Sequence, residues 1–284
     1  MVNKITINCH IKILIPFFGA FPFYFKYFIH TCKFNPSIKF HIITDHKKPI
    51  NLPKNIQWLN ISLLELNNCC SKILFFKTDI KDGYKFCDFK PAYGFIFSEY
   101  IKGYDYWGQC DIDLILGDIT GYFQALQFWK YDFISVRHDF NSGFFSLFRN
   151  TEKMNTLFMN SKDYIKVFTD SKHYCFDECN NVHQRLTNGE SILDIETEIE
   201  SYFHVLKKEE KEGNIKAFYD FICIEGTTGR IKYDKGKLIY KNKYEAILYH
   251  MIAFKKTCKM TRPTKSIPDS FNISPTRIYV NKAR

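Results

Sequence analysis

Residues 104–119 read Tyr104-Asp105-Tyr106-Trp107-Gly108-Gln109-Cys110-Asp111-Ile112-Asp113-Leu114-Ile115-Leu116-Gly117-Asp118-Ile119. The stretch opens as an aromatic and apolar strand, meets two carboxylates separated by one isoleucine, and continues as a short apolar run into a Gly-Asp turn. Side chains two apart on a strand share a face, so Asp111 and Asp113 project together if the pleat holds through them. Their aromatic and apolar neighbours place the pair at a mostly buried strand end, where uncompensated charge is costly. Two hard oxygen ligands on one side suit Mn²⁺ or Mg²⁺, which keep positions open for phosphate oxygens.

Working outward, Ile11 to Pro16 is a short apolar strand ending in a Pro-Phe-Phe-Gly turn. Phe23 to Cys32 has helical spacing, Phe40 to Asp45 is the next strand, Ile56 to Ile61 a third, and Ser62 to Lys72 a second helix. This alternation predicts an α/β fold with a mostly parallel sheet and helices on both faces. Phosphate-bearing ligands of such sheets bind beyond the carboxyl ends of the strands, where Pro16 to Gly19, Asp45 and Asp111 to Asp113 all fall.

Downstream, the pattern predicts helices over Pro91 to Ile101, Gly121 to Trp129 and Thr151 to Val167, with a strand at Asp132 to Arg137. His138 to Phe148 makes a polar turn into another apolar strand, and His173 to Gly189 reads as helix or loop. Charged Glu196 to Lys216 reads as a solvated surface loop or helix end. Late strands are expected at Phe218 to Ile224, Gly229 to Tyr233 and Lys237 to Tyr240, then a short helix or strand over Tyr244 to Phe254. Residues 1–258 are expected to form one catalytic domain, and 259–284 a basic, irregular C-terminal tail.

A chain of 284 residues, 45% apolar and 25% charged, has the composition of a globular protein with one sizeable core. Its 29 Phe and 18 Tyr accompany abundant Ile, Asn and Lys, a genome-wide kind of bias rather than a nucleic-acid signal. The net charge of +10 favours anionic partners. The end of the chain is the most basic region: Lys255, Lys256, Lys259, Arg262, Lys265, Arg277, Lys282 and Arg284 face only Asp269, so a peripheral membrane contact is an alternative to a solvated tail. The ten cysteines are scattered, several within apolar runs, which suits reduced thiols in a cytoplasmic protein. His173, Cys175, Cys179 and His183 tempt a zinc reading but lack the paired C-x₂-C knuckles of structural sites. The apolar run Ile11 to Ile29 is interrupted by Lys12, Pro16, Pro22 and Lys26 and is read neither as signal peptide nor as membrane span.

Cys87-Asp88-Phe89-Lys90-Pro91-Ala92-Tyr93-Gly94, followed by Gly103 to Asp113, resembles a group of small bacterial and large-DNA-virus GT-A-type glycosyltransferases with a DxD motif. The resemblance covers roughly Ile11 to Lys256. It implies a GT-A-like, Rossmann-like mixed sheet and metal-dependent transfer from a nucleotide-sugar, a UDP-sugar being favoured, to a glycan or glycolipid. It also implies that Asp113 ligates Mn²⁺ (or Mg²⁺), with Asp111 on the metal or the ribose. A late His250 would complete the metal site, with Lys255 and Lys256 on the diphosphate. Asp177 or Glu178 would serve the acceptor side, and Asn141 and Ser142 the sugar hydroxyls beside Gly143. Pro16, Phe17, Gly19, Asp45, Asp88 and Lys90 would surround the nucleoside and its phosphates. Cap and turn roles are the alternatives for Asp45, Asp88 and the Asn141 loop, and capping is favoured for Asp118. Two other classes stay open: a metal-dependent nucleotidyltransferase or nuclease, which needs a third carboxylate, and a non-catalytic nucleic-acid-binding protein, for which no motif is present.

Overall fold

Apolar strands alternating with amphipathic helices can bury their faces only in layers. The computed structural model describes residues 9–260 and 266–280. In chain order its strands are β1 (Ile11–Pro16), β2 (Ile38–Thr44), β3 (Ile56–Asn60), β4 (Tyr106–Cys110), β5 (Leu114–Leu116), β6 (Phe133–Ser135), β7 (Phe145–Arg149), β8 (Ala217–Tyr219), β9 (Cys223–Ile224), β10 (Ile231–Asp234), β11 (Lys237–Tyr240), β12 (Tyr244–Ala246), β13 (Leu248–His250), β14 (Ser270–Ile273) and β15 (Ile278–Tyr279).

The largest sheet has the order β3-β2-β1-β4-β7-β6-β8. Its β3, β2, β1 and β4 run parallel, β7 is antiparallel to both its neighbours, and β8 is parallel to β6. The architecture is therefore mixed α/β with a large, mostly parallel sheet, in line with the alternation in the sequence. Alternate β1 residues enter different cores: Leu14 packs with Ile43, Leu66, Cys70 and Trp107, and Ile13 and Ile15 with Phe25, Phe28 and Ile42. The helix Leu63–Leu74 covers the first face and begins at a capping box, Ser62 Oγ accepting from Glu65 N–H at 3.2 Å and Ser62 N–H donating to the Glu65 carboxylate at 2.8 Å. The helix Phe25–Cys32 covers the second.

Two smaller sheets run β12-β11-β10-β14-β15 and β5-β13-β9. The last positions the site: β13 lies antiparallel to β5 with His250 opposite Leu114, next to Asp113. Among the described residues no helix is long and apolar enough to cross a membrane, and all ten cysteines are free thiols.

Several expectations need correction. Strand β4 stops at Cys110 and the chain bends through Asp111 to Asp113. The helix expected over Pro91 to Ile101 is a 3-10 turn, Lys85–Ala92, followed by the separate turns Tyr93–Ile96 and Ser98–Ile101. Pro91 lacks an N–H and disfavours α geometry at Lys90. The stretch Thr151 to Val167 likewise breaks into Glu152–Thr156, Leu157–Asn160 and Tyr164–Thr169. The charged segment contains the helix Tyr202–Lys211, which buries Tyr202, Phe203, Val205 and Leu206; its Lys and Glu residues disguise an amphipathic element. The expected irregular tail supplies β14 and β15, whose Phe271, Ile273 and Ile278 are buried, Phe271 stacking on Tyr233 at 4.7 Å. Of its basic residues, Arg262, Lys265, Lys282 and Arg284 lie outside the described residues.

Asp88, expected beside the nucleoside, is instead an internal pin. Its carboxylate meets Lys85 Nζ at 2.9 Å with both side chains buried, and accepts the backbone N–H groups of Tyr174 (2.9 Å) and Phe176 (2.8 Å). Lys85 also donates to the carbonyls of Val167 and Lys172, each at 2.6 Å. The pair thus ties the 3-10 turn that carries Lys90 to the segment that carries Asp177 and Glu178. Removing one partner of such a pair strands the other as a buried charge. Asp88→Ala should therefore cost about 3–5 kcal/mol of stability, seen as a lowered urea midpoint; an unchanged midpoint would show that the pin is dispensable.

Candidate active site

A cleft of about 400 Å³ opens beyond the carboxyl ends of β1 and β4, where open α/β sheets bind their ligands. Pro16 and Phe17 line it from the end of β1, Lys90 from the 3-10 turn, Asp111 and Asp113 from the bend, and Lys255 from the helix Ile252–Thr257. Phe18 adds an aromatic wall from the same Pro16 to Gly19 turn, and Tyr24 and Tyr84 add two that the sequence did not single out.

Other expected residues stand elsewhere. Gly19, at φ +104°, turns its carbonyl to within 2.7 Å of His46 Nε2. Asp45 is exposed beside the same imidazole, 3.7 Å away. Asn141 and Ser142 are buried and hold backbone: Asn141 Nδ2 donates to the Asp177 carbonyl and Ser142 Oγ to the Phe145 carbonyl, each at 2.5 Å. Lys256, exposed one residue past Lys255, is not part of the cleft wall.

Because β4 ends before them, Asp111 and Asp113 share the cleft without sharing a pleat. Asp111 Oδ1 pairs with Lys90 Nζ at 2.8 Å, and the same ammonium donates to the Gly143 carbonyl at 2.6 Å. Asp113 Oδ2 accepts from Lys255 Nζ at 2.5 Å and lies 3.5 Å from His250 Nε2. Asp113 Oδ1 is buried without a hydrogen-bond partner. His250 Nδ1 contacts Glu225 Oε1 at 2.7 Å, and Glu225 is ion-paired with Arg137. Arg137 forks onto both oxygens of Asp139, at 2.9 and 2.6 Å, and Asp139 accepts from Thr187 Oγ1 at 2.8 Å. The Phe144 ring stacks on His250 at 4.2 Å. Burial disfavours an imidazolium here, but the hydrogen bonds and charges of Asp113 and Glu225 prevail and raise His250 to about 9. Burial would likewise raise Asp113, yet His250 and Lys255 hold it well below the ordinary carboxylate range.

These groups fit a hard divalent cation. Buried polar atoms are seldom left unsatisfied, and Asp113 Oδ1 is such an atom. A carboxylate on one imidazole nitrogen, leaving the other towards Asp113, is how metal-binding histidines are commonly oriented. Asp111, Asp113 and His250 have not converged into a ready-made donor set, however. Among the described residues, three donors come within 4.8 Å of one another at Cys175, Glu178 and His183, and at Asp88, His173 and Asp177. The ammonium groups of Lys90 and Lys255 neutralise the pair.

Asp177 and Glu178 occupy opposite electrostatic environments. Asp177 Oδ2 lies 3.6 Å from Lys90 Nζ, the ammonium that also holds Asp111. Burial, with the charges of Glu178, Asp88 and Asp111, pushes Asp177 well above the ordinary range against the pull of Lys90. Burial alone would raise Glu178 too, but His183 at 2.7 Å and the Gly143 N–H at 2.7 Å outweigh it and hold Glu178 at about 2. A Cβ on Gly143 would sit 2.7 Å from Asp177 Oδ2 and 2.8 Å from Glu178, so only glycine lets this loop approach both. Asp118 caps the helix Ile119–Ala125, accepting from Gly121 N–H at 2.7 Å.

Sequence reasoning missed Glu225 and Arg137. Neither belongs to a local motif. Glu225 reaches His250 because β9 runs parallel to β13 with Ile224 beside Tyr249, a pairing between segments that no spacing rule connects.

No curated protein matches the chain. Among solved structures it is similar to the galactosyltransferase LgtC in complex with donor and acceptor sugar analogs, at 15% identity and a TM-score of 0.33. That likeness covers 57% of this chain and 66% of LgtC, just under two thirds of the enzyme's length. At that distance it says nothing of what this chain acts on. The sequence profile of a family of unknown function, DUF6625, matches residues 13–282, and the chain belongs to that family.

Proposed function

We propose that this protein transfers a sugar from a nucleotide-diphosphate donor, a UDP-sugar being favoured, to a glycan or glycolipid acceptor with the help of Mn²⁺ or Mg²⁺. The observation that carries the reading is the unpartnered, buried Oδ1 of Asp113, whose other oxygen, Oδ2, meets Lys255 and His250 beside a cleft at the strand ends. A divalent cation held by Asp113 and His250, with Asp111 as the further ligand, would offset charge that grows on a departing diphosphate. Lys90 and Lys255 are the ammonium groups at the cleft, each resting on a carboxylate that it can exchange for a phosphate oxygen. Phe17, Tyr24 and Tyr84 offer flat apolar surfaces for a base or sugar ring.

The divergent environments of Asp177 and Glu178 suggest their roles. Asp177, whose affinity for a proton is raised, is the better acceptor of a hydroxyl proton in an inverting reaction. Glu178 stays anionic and holds the Gly143 loop and His183. The phosphoryl-transfer alternative needs a third carboxylate by the pair, and Asp118 is engaged in capping a helix.

Three outcomes test the reading. Asp113→Ala should abolish Mn²⁺-dependent binding of UDP in calorimetry and lower transfer on the order of 10²-fold or more, with the circular dichroism spectrum preserved; near-normal turnover would remove Asp113 from the reaction. Glu225→Gln, which weakens the hold on His250, should raise the apparent Kd for Mn²⁺ by roughly 10–100-fold, while UDP affinity at saturating Mn²⁺ stays near normal; an unchanged metal titration would make Glu225 structural only. Asp177→Asn should stop transfer while sparing metal-dependent UDP binding, because the isosteric amide keeps shape but cannot take the proton. Retention of more than about a tenth of the rate, a loss below ~1.4 kcal/mol of barrier, would pass the role to another group.

A further inference from the structure

The loop after Tyr174 is folded tightly on itself. Cys175, Asn180 and Asn181 all adopt left-handed backbone, with φ of 55°, 51° and 64°, a conformation that non-glycine residues rarely hold without a local reason. The Cys175 carbonyl accepts from the N–H groups of Glu178 (3.3 Å) and Asn180 (3.0 Å), closing the turn. Three side chains converge as a result. Cys175 Sγ lies 3.4 Å from Glu178 Oε2 and 3.9 Å from His183 Nε2, and Glu178 Oε2 lies 2.7 Å from His183 Nε2.

We propose that Cys175, Glu178 and His183 form a binding site for Zn²⁺ or a similar borderline cation, separate from the Asp113 site. The inference goes beyond the proposed sugar transfer and stands or falls without it. With zinc–sulfur bonds of about 2.3 Å and zinc–nitrogen and zinc–oxygen bonds of about 2.0–2.1 Å, tetrahedral angles separate sulfur from nitrogen or oxygen by about 3.6 Å and nitrogen from oxygen by about 3.3 Å. The distances in the cluster are 3.9, 3.4 and 2.7 Å, so adjustments of about 0.2–0.6 Å, the largest between His183 and Glu178, would admit the ion. The second carboxylate oxygen of Glu178 accepts the Gly143 N–H at 2.7 Å, an outer hydrogen bond that aims Oε2 at the cluster. Cys175 is buried, but His183 is 35% and Glu178 20% exposed, leaving a side from which the ion and a fourth, water ligand can approach.

The donor set also selects the ion. A thiolate and an imidazole favour Zn²⁺ over Mn²⁺ or Mg²⁺, whereas the oxygen-rich Asp111 and Asp113 favour the reverse. Binding forms one bond each to sulfur, nitrogen and oxygen. The thiol proton of Cys175, and any proton on His183 Nε2, passes to solvent, and no electron is transferred. Thiolate and carboxylate together neutralise the ion. The bound ion would fasten the loop that carries Asp177 and that grips Gly143.

The full-length protein, stripped with chelator and titrated with Co²⁺, tests the site without any assay of transfer. One equivalent should produce thiolate-to-cobalt charge-transfer absorption and the visible bands of tetrahedral cobalt, displaced by Zn²⁺ and unchanged in Asp113→Ala. Cys175→Ser should abolish the charge-transfer band. His183→Gln, at a partly exposed side chain, should raise the Co²⁺ Kd at least about tenfold, the lower end of what even outer groups of metal sites contribute. Absence of the band in the parent protein, or its survival in folded Cys175→Ser, overturns the proposal. If Cys175→Ser fails to fold, an unchanged Co²⁺ titration in His183→Gln overturns it equally.

Discussion

Carboxylates are crowded at the carboxyl end of this sheet, and a buried carboxylate persists only where a cation or several N–H groups compensate it. Asp88 has Lys85, Asp111 has Lys90, Asp113 has Lys255 and His250, and Glu178 has His183. The pairing is also an assembly plan. Lys85 and Lys90 lie on one 3-10 turn, so their partners fix that turn against both the Asp111 bend and the 167–176 segment. Lys255 and His250 come from the last third of the described chain and lock it onto the bend. Asp177 is the member least compensated: Lys90, its nearest cation at 3.6 Å, sits closer to Asp111 at 2.8 Å. Its raised affinity for a proton follows from that shortfall.

What could be read from the sequence follows the range of the interactions involved. The first three strands and two helices are set by local periodicity and a capping box, and β1, β2 and β3 lie within two residues of their expected bounds. Asp111, Asp113, Lys90 and Lys255 line one cleft. The sequence was silent where geometry depends on distant pairing. Asp111 and Asp113 were expected on one pleat, yet the bend after Cys110 sends them to different cations. Asp88, in the most family-like stretch, reads as ligand-binding but has its oxygens occupied by Lys85 and two backbone N–H groups. Strand β14 escaped notice because four residues between prolines give too short a periodicity, although Phe271 and Ile273 complete an apolar face.

Of His173, Cys175, Cys179 and His183, only two converge. Cys179 turns into an apolar cluster with Phe140, Leu186 and Phe203, and the His173 ring packs tilted against Tyr84 with centroids 4.1 Å apart. The left-handed residues of the loop instead bring Cys175 and His183 to Glu178. A ligand template counts residues along the chain, whereas convergence is decided by backbone dihedrals that Asn180 and Asn181 tolerate better than most side chains.

The two clusters differ in what they must give up to take a cation. At Asp111 and Asp113 the ammonium groups already neutralise the carboxylates, so an incoming divalent ion would compete with Lys90 and Lys255, as well as with the proton on His250, unless an anionic ligand arrives to receive the lysines. Cation and anion would therefore bind with positive coupling, each relieving the charge that the other leaves unbalanced. At Cys175, Glu178 and His183 only protons are displaced, and no second ligand is required. The lysines would thus make the anion a requirement of the proposed first site. Its metal dependence would report the presence of a diphosphate, whereas occupancy of the second would follow pH and the supply of borderline metal.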